Sequence, residues 1–428
     1  MRSKLLVLGL VLAQLGLVSV EAQGAATYGP TEWVIGPQRK VAFITLDGHT
    51  RAKKFVGVLD TLKERGAKAS FFTSGSWIAH HSKKARMVRA RGHLMGNRGY
   101  TTERFTNMSD AEIRTSVTKA AEALNSVGQY PRPFLRSPDG ARDLRVLRLA
   151  GSMGYRHVRW TYSPGGGTTD GVVRKTMRRL QPGFILSLDI WRKSHRRALP
   201  RIIDGLRRRG YDIRTLDKLT DAHAIRWDVT LRSGSSGSEV KWLQKRLRYL
   251  TYPSGSLNGS FGYATLQATY AFEKKHHMSR DGVVPPSQMT AMAMARRPKA
   301  PKPLSGNPKD YIDVDISRQV LFEVRNGRVK HTLPVSTGNG ETYYVDGEAR
   351  TARTPRGSFT VQRKIAGRRD GSLGTLYWPN YFVGGYAIHG SNSVPTYPAS
   401  HGCVRIPRYV EKAFYYRTPI GLPVFVHD

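Results

Sequence analysis

YIDVDISRQVLFEVRNGRVKHTLPVST, residues 311–337, alternates apolar and polar residues on either side of Asn326-Gly327. A period of two puts one set of side chains on the buried face of a strand. Asn-Gly accepts the positive backbone angles of a two-residue hairpin turn. The stretch therefore predicts an antiparallel strand pair. GSFTVQRKI (357–365), YFVGGYAIHG (381–390) and LPVFVHD (422–428) add further strand patterns. Residues 309–428 are expected to form a mainly β domain.

Upstream the texture changes twice. RRPKAPKPLSGNPKD (296–310) is rich in proline and lysine and is expected to be a solvated linker, assigned to 296–308. Before it, 229–295 is expected to be a small helical domain. EVKWLQKRLRYL (239–250) sets Val240, Leu243, Leu247 and Leu250 on one face. LNGSFGYATLQA (257–268) and RDGVVPPSQMTA (280–291) are similar turns, each leading into a helix. Residues 36–219 alternate buried-strand runs with amphipathic runs: VAFITL (41–46), FVGVLDTLKERG (55–66), ASFFTSG (69–75), FILSLDI (184–190) and LPRIIDGLRRRG (199–210). That alternation predicts an α/β domain built on a parallel sheet or a barrel.

The first residues have Arg2 and Lys4, then an apolar run from Leu5 to Val20, then Val20-Glu21-Ala22. This is the pattern of a signal peptide, 1–22, cleaved after Ala22. The run is short for a membrane anchor and is broken by Gln14. The protein is thus expected to be secreted, with no membrane span after cleavage. The formal charge of +38 favours a polyanionic partner. An exported chain meets little nucleic acid, so none is expected as partner; anionic wall polymers are the expected class. The basic residues spread through every domain, so charge alone names no ligand.

Cys403 is the only cysteine. Outside the cytoplasm a lone cysteine can make no disulfide within its chain. Either it is a buried, inert thiol, or the thiol is used. His389 and His401 lie nearby in HGSNSVPTYPASHGCVRIP (389–407). A histidine close to the thiol would supply a base and lower the thiol pKa, and Gly402 permits a tight turn that presents the nucleophile.

The segments TPRGSF (354–359), AIHGS (387–391) and SHGCVR (400–405) resemble the catalytic domain of YkuD-type L,D-transpeptidases over residues 309–428. The resemblance implies Cys403 as nucleophile and His389 as general base, with His401 and Gly402 completing the catalytic turn. The Cys403 N–H would belong to the oxyanion hole. Ser400, Arg405 and Gly390 are implied on the substrate side. The implied reaction is acyl transfer without a cofactor. Cys403 attacks the third residue of a peptidoglycan tetrapeptide stem, D-Ala leaves, and an amine accepts the acyl group in a 3→3 cross-link. Water as acceptor would make the enzyme an L,D-carboxypeptidase. Only ten residues separate His389 from Ser400, fewer than in many members, which bears on the size of the groove.

Residues 229–295 resemble the peptidoglycan-binding domain often attached to wall enzymes, which implies wall glycan and stem peptides as partners. Residues 36–219 resemble NodB-type polysaccharide deacetylases through KVAFITLDGHT, ASFF, GHLMGNRGYTT and FLRSPDGA. That family activates water on a metal held by an Asp and two His, beside an Asp base. Without gaps, the base position is Leu46 and the metal Asp is Asp47; shifted by one, Asp47 is the base and Gly48 replaces the ligand. The histidine positions hold Arg98 and Thr102, and the late catalytic histidine position holds Asp189. Asp47 is then the only retained ligand, and Arg136, Pro138 and Gly140 support a site they cannot create. His49, His80 and His93 have no spacing that makes a substitute set. No metal and no deacetylase activity are expected. The rival functions are a bifunctional deacetylase–transpeptidase and a non-catalytic wall binder.

Overall fold

A computed structural model describes residues 27–48, 51–220 and 223–428. The predicted signal peptide and His49 lie outside the described residues.

The N-terminal domain contains β1 (Thr31–Trp33), β2 (Val41–Asp47), β3 (Ser70–Phe72), β4 (Leu94–Gly96), β5 (Phe134–Leu135), β6 (Arg156–Val158), β7 (Phe184–Asp189), β8 (Asp212–Arg214) and β9 (Ala224–Arg226). One sheet runs β4-β3-β2-β7 with β8 beside the start of β2; the other runs β5-β6-β1-β9. Parallel bridges Asn97–Leu135 and Tyr162–Leu186 join them into an irregular barrel wrapped by helices. Alternation along β2 separates its two faces. Val41 and Phe43 join Phe72, Phe134, Val158 and Ile185 inside the barrel, whereas Ile44 and Leu46 pack outward against Phe55, Leu59 and Leu199 of the surrounding helices. Thr45 and Asp47 therefore face the interior at the C-terminal end of the strand.

Helices Ser238–Tyr249, Tyr263–Lys275 and Pro286–Met294 form the middle domain. Val240, Leu243, Leu247 and Leu250 are all buried, as the spacing predicts. They share one cluster with Val34, Ile35 and Ile225, so this core is continuous with the first domain. The buried Arg246 guanidinium donates to Met292 O (2.7 Å), Ala293 O (2.8 Å) and the Gln181 side-chain oxygen (2.9 Å), tying the two domains with neutral acceptors.

The C-terminal domain is mainly β. β10 (Tyr311–Asp315), β11 (Val320–Arg325) and β12 (Arg328–Pro334) form the meander expected from 311–337. Next come β13 (Thr342–Val345), β14 (Glu348–Thr351), β15 (Gly357–Thr360), β16 (Arg363–Lys364), β17 (Arg368–Gly371), β18 (Gly374–Val383), β19 (Tyr386–Ser391), β20 (Val404–Pro407) and β21 (Pro423–His427). One sheet is ordered β12-β11-β10-β21-β15; the other is β16-β18-β19-β20, with β17 also on β18. Their inner faces enclose Ile312, Leu333, Phe382, Ile388, Val404 and Phe414, all nearly inaccessible to water. Each such side chain contributes roughly 1.5–3 kcal/mol by burial. β19 and β20 are parallel neighbours, so the turn between them must bring the chain back to the same end of the sheet.

Candidate active site

That return connection sets the site. The register pairs Ile388 with Val404 and His389 with Arg405. Ile388 and Val404 point into the core, so His389, Cys403 and Arg405 share the opposite, pocket-facing side. The pocket, of about 320 Å³, is lined on this side by His389, Ser400, His401, Cys403 and Arg405. Tyr343 and Arg350 from the β13–β14 hairpin and Leu373–Leu376 at the β17–β18 turn close its other walls. These wall residues carry no sequence signal, because their place depends on two hairpins folding over the site.

His389 is buried, and its Nδ1 lies 2.8 Å from the Gly390 carbonyl. A carbonyl only accepts, so Nδ1 carries the proton and Nε2 keeps its lone pair. Burial pushes the His389 pKa down to about 4; Arg405 adds to this and the Gly390 carbonyl opposes it. Cys403 is partly exposed, with its Sγ 4.0 Å from the Gly385 carbonyl. Burial pushes its thiol pKa up, against smaller opposing effects of the Ala387 backbone and Arg405. The resting pair is therefore a neutral thiol and a neutral imidazole. Removal from water is the largest influence on the thiol in this pocket.

The turn before Cys403 is tightly specified. The Ser400 hydroxyl donates to the Cys403 carbonyl (2.6 Å) and accepts from the Gly402 N–H (3.0 Å). Gly402 has φ of +123°, and a Cβ there would lie 2.5 Å from Tyr386 and 2.8 Å from the Arg353 carbonyl. Thr354, in the TPRGSF segment, donates to the Gly402 carbonyl at 2.8 Å. His401 is exposed and stands edge-on to Tyr343, ring centroids 4.8 Å apart. A Cβ on Gly390 would fall 1.6 Å from the Glu411 carboxylate, so it is a close-packing position whose carbonyl orients His389.

At the mouth of the N-terminal barrel the chemistry is different. Arg136, almost fully buried, donates to Asp47 Oδ2 (2.7 Å), the Thr45 hydroxyl (2.7 Å) and the Val158 carbonyl (2.7 Å). Ser187 donates to the same Asp47 oxygen at 2.6 Å. Burial lowers the Arg136 pKa, Asp47 opposes this, and Arg98 adds to it. Asp189 is paired with Arg192 at 2.9 Å, and Thr102 is exposed. Among the described residues, no group of three or more His, Cys, Asp or Glu is arranged to hold a metal. The side chains do not fit a divalent cation: the one carboxylate of the motif is committed to a guanidinium, and a buried arginine, Arg98, adds further positive charge. His80 bonds the Ser76 carbonyl on the surface, and His93 is a buried partner of the Ala69 N–H.

Comparison with known proteins follows the same division. Residues 35–158 match the polysaccharide deacetylase family model, 236–292 a peptidoglycan binding domain, and 309–426 the L,D-transpeptidase catalytic domain. A peptidoglycan-N-acetylglucosamine deacetylase of Bacillus cereus is 24% identical over 217 residues, covering 47% of this chain and 79% of that protein. Among solved structures, an L,D-transpeptidase of Xylanimonas cellulosilytica is 41% identical, covering 46% of this chain and 97% of that one, with a TM-score of 0.43. A CE4 family pseudoenzyme from Bacillus anthracis is 22% identical, covering 45% and 69%, also with a TM-score of 0.43. The chain thus joins, in order, a polysaccharide deacetylase-like α/β domain, a helical peptidoglycan-binding domain and a mainly-β catalytic domain of the YkuD L,D-transpeptidase family.

Proposed function

We propose that this protein is a secreted, wall-associated L,D-transpeptidase whose acyl-enzyme forms on Cys403. The observation that carries the reading is the placement of Cys403 and His389 on one pocket-facing side of β19 and β20, with His389 Nδ1 fixed on the Gly390 carbonyl. His389 Nε2 takes the thiol proton as Sγ attacks the carbonyl of the third stem residue. The Cys403 N–H donates a hydrogen bond to the developing oxyanion. Collapse expels D-Ala, whose amine takes the proton from His389, and leaves a thioester. A side-chain amine of a neighbouring stem then attacks the thioester, gives its proton to His389 and frees the thiol. Arg350 and Arg405 line the pocket and suit the carboxylates of a stem peptide.

The test is to incubate the purified protein with defined tetrapeptide muropeptides and identify the products. Dimers with release of D-Ala support transfer; tripeptides without dimers would assign water as the acceptor. Release of D-Ala by Cys403→Ala would overturn the reading. No deacetylation step is assigned to the first domain, because Asp47 is held by Arg136 and Ser187.

A further inference from the structure

The turn that carries the chain from His389 back to Cys403 is gripped from outside its own domain. Three consecutive carbonyls of that turn accept side-chain donors from the peptidoglycan-binding domain. Gln267 donates to Val394 (3.4 Å), Lys274 to Pro395 (3.4 Å) and Arg280 to Thr396 (3.0 Å). Lys274 Nζ also donates to the Val335 carbonyl at 2.9 Å. The next residue, Ser336, exchanges backbone hydrogen bonds with Arg405 (3.2 and 3.0 Å), and its hydroxyl donates to Tyr397 O at 2.8 Å. One ammonium thus reaches both segments that flank the nucleophile turn. Below it, Tyr409, in the helix after β20, donates to the Pro253 carbonyl at 2.7 Å.

Lys274 is a poor choice for stability alone. It is completely inaccessible to water, and its hydrogen-bond acceptors are two neutral carbonyls. Burial pushes its pKa down to about 7, with Arg280 adding to the effect. An apolar side chain of the same length would fill the space without that desolvation cost. What an apolar chain cannot do is aim two donors at two backbone segments. Along the turn Asn392, Ser393, Tyr397 and Pro398 are exposed and only Val394 is buried, so hydrogen bonds rather than packing hold it, those from the peptidoglycan-binding domain together with Ser336 on Tyr397 and Arg408 on Asn392.

We propose that the peptidoglycan-binding domain is a positioning element of the transferase site, with Lys274 the residue that sets the turn presenting Cys403. The proposal rests on the transferase reading for its substrate. Its chemical content is that the wall-binding helix and the nucleophile turn move as one unit.

The experiment compares full-length Lys274→Met and Arg280→Ala with the wild type. Two quantities are read: D-Ala release from tetrapeptide stems, and alkylation of the single thiol by iodoacetamide. The expected result for Lys274→Met is a fall in kcat of about tenfold or more with KM little changed, since a displaced nucleophile costs chemistry rather than binding. The alkylation rate should change in the same variant. Arg280→Ala, at a half-buried position, should show the same pattern more weakly and guards against misfolding of the first variant. If both variants fold, melt cooperatively and match the wild type in kcat and alkylation, the proposal is overturned. Failure of the wild type to release D-Ala would instead sink the transferase reading, and the alkylation comparison would still test the grip on the turn.

Discussion

His389 and Arg405 are register partners across the parallel pair β19–β20, and both line the pocket that contains Cys403. The arginine sits where it disfavours a second positive charge, and burial acts in the same direction on the imidazole. Both effects favour the neutral imidazole at neutral pH.

This fixes a pH dependence. The His389 pKa is lowered to about 4, so the base is available above that pH and is lost as pH falls through it. The acid limb of kcat/KM should lie near pH 4, well below that of an ordinary histidine. His389→Asn should reduce kcat by roughly 10²–10⁴-fold, as loss of a general base does. A pH profile of D-Ala release measures both.

The thiol should be sluggish toward reagents when no substrate is bound. Burial raises its pKa above the usual range, so alkylation at pH 7 should be slower than for free cysteine and should climb only in alkaline solution. Fast labelling at pH 7 would contradict a neutral resting pair.

Gly402→Ala tests the turn. The positive φ and the contacts awaiting a Cβ leave no room for a methyl group. The expected cost is about 1–3 kcal/mol in stability, with loss of D-Ala release because Cys403 shifts with its neighbour. Thermal melting and turnover read the two effects separately.

Glu323 on β11 tests the foundation of the domain. It is fully buried beside His331 (2.9 Å) and Arg417 (2.8 Å). Burial alone would raise its pKa, but hydrogen bonds from those partners overcome it and hold it at about 2. The folded value lies below the unfolded one, so its contribution is present above about pH 4.5 and is lost as pH falls toward 2. Glu323→Gln should cost about 3 kcal/mol at neutral pH by leaving Arg417 unpaired. The gap between variant and wild type in urea unfolding should narrow at pH 3.

Arg136→Met separates the two ends of the molecule. It leaves Asp47 buried without its counter-charge, for an expected loss of about 3 kcal/mol in the first domain. D-Ala release should be unaffected. Calorimetry and the muropeptide assay check the two halves of the statement.

Much of this was legible in local pattern. VAFITL, the helical face of Val240, Leu243, Leu247 and Leu250, and the hairpin at Asn326-Gly327 each state their period within a few residues. The pocket-facing side of His389 and Cys403 follows from motif order. What was not legible depends on distant partners. Nothing local reveals that Glu411 packs against Gly390. The direction of the thiol pKa depends on total burial, which no spacing encodes. Lys274 lies in EKKHH, a run that has the texture of a solvated surface, yet its ammonium is enclosed. Only the fold of a second domain explains it.

The middle and C-terminal domains, joined in sequence through the proline-rich stretch at 296–308, also touch directly. Thr251 and Thr332 bond through both hydroxyl and backbone (3.0 and 2.8 Å), and Tyr263 meets Tyr409 edge to face at 6.1 Å. The connector is a strap rather than a hinge. A protease that severs it would cut the chain without parting the pieces, and the nicked molecule would still travel as one particle.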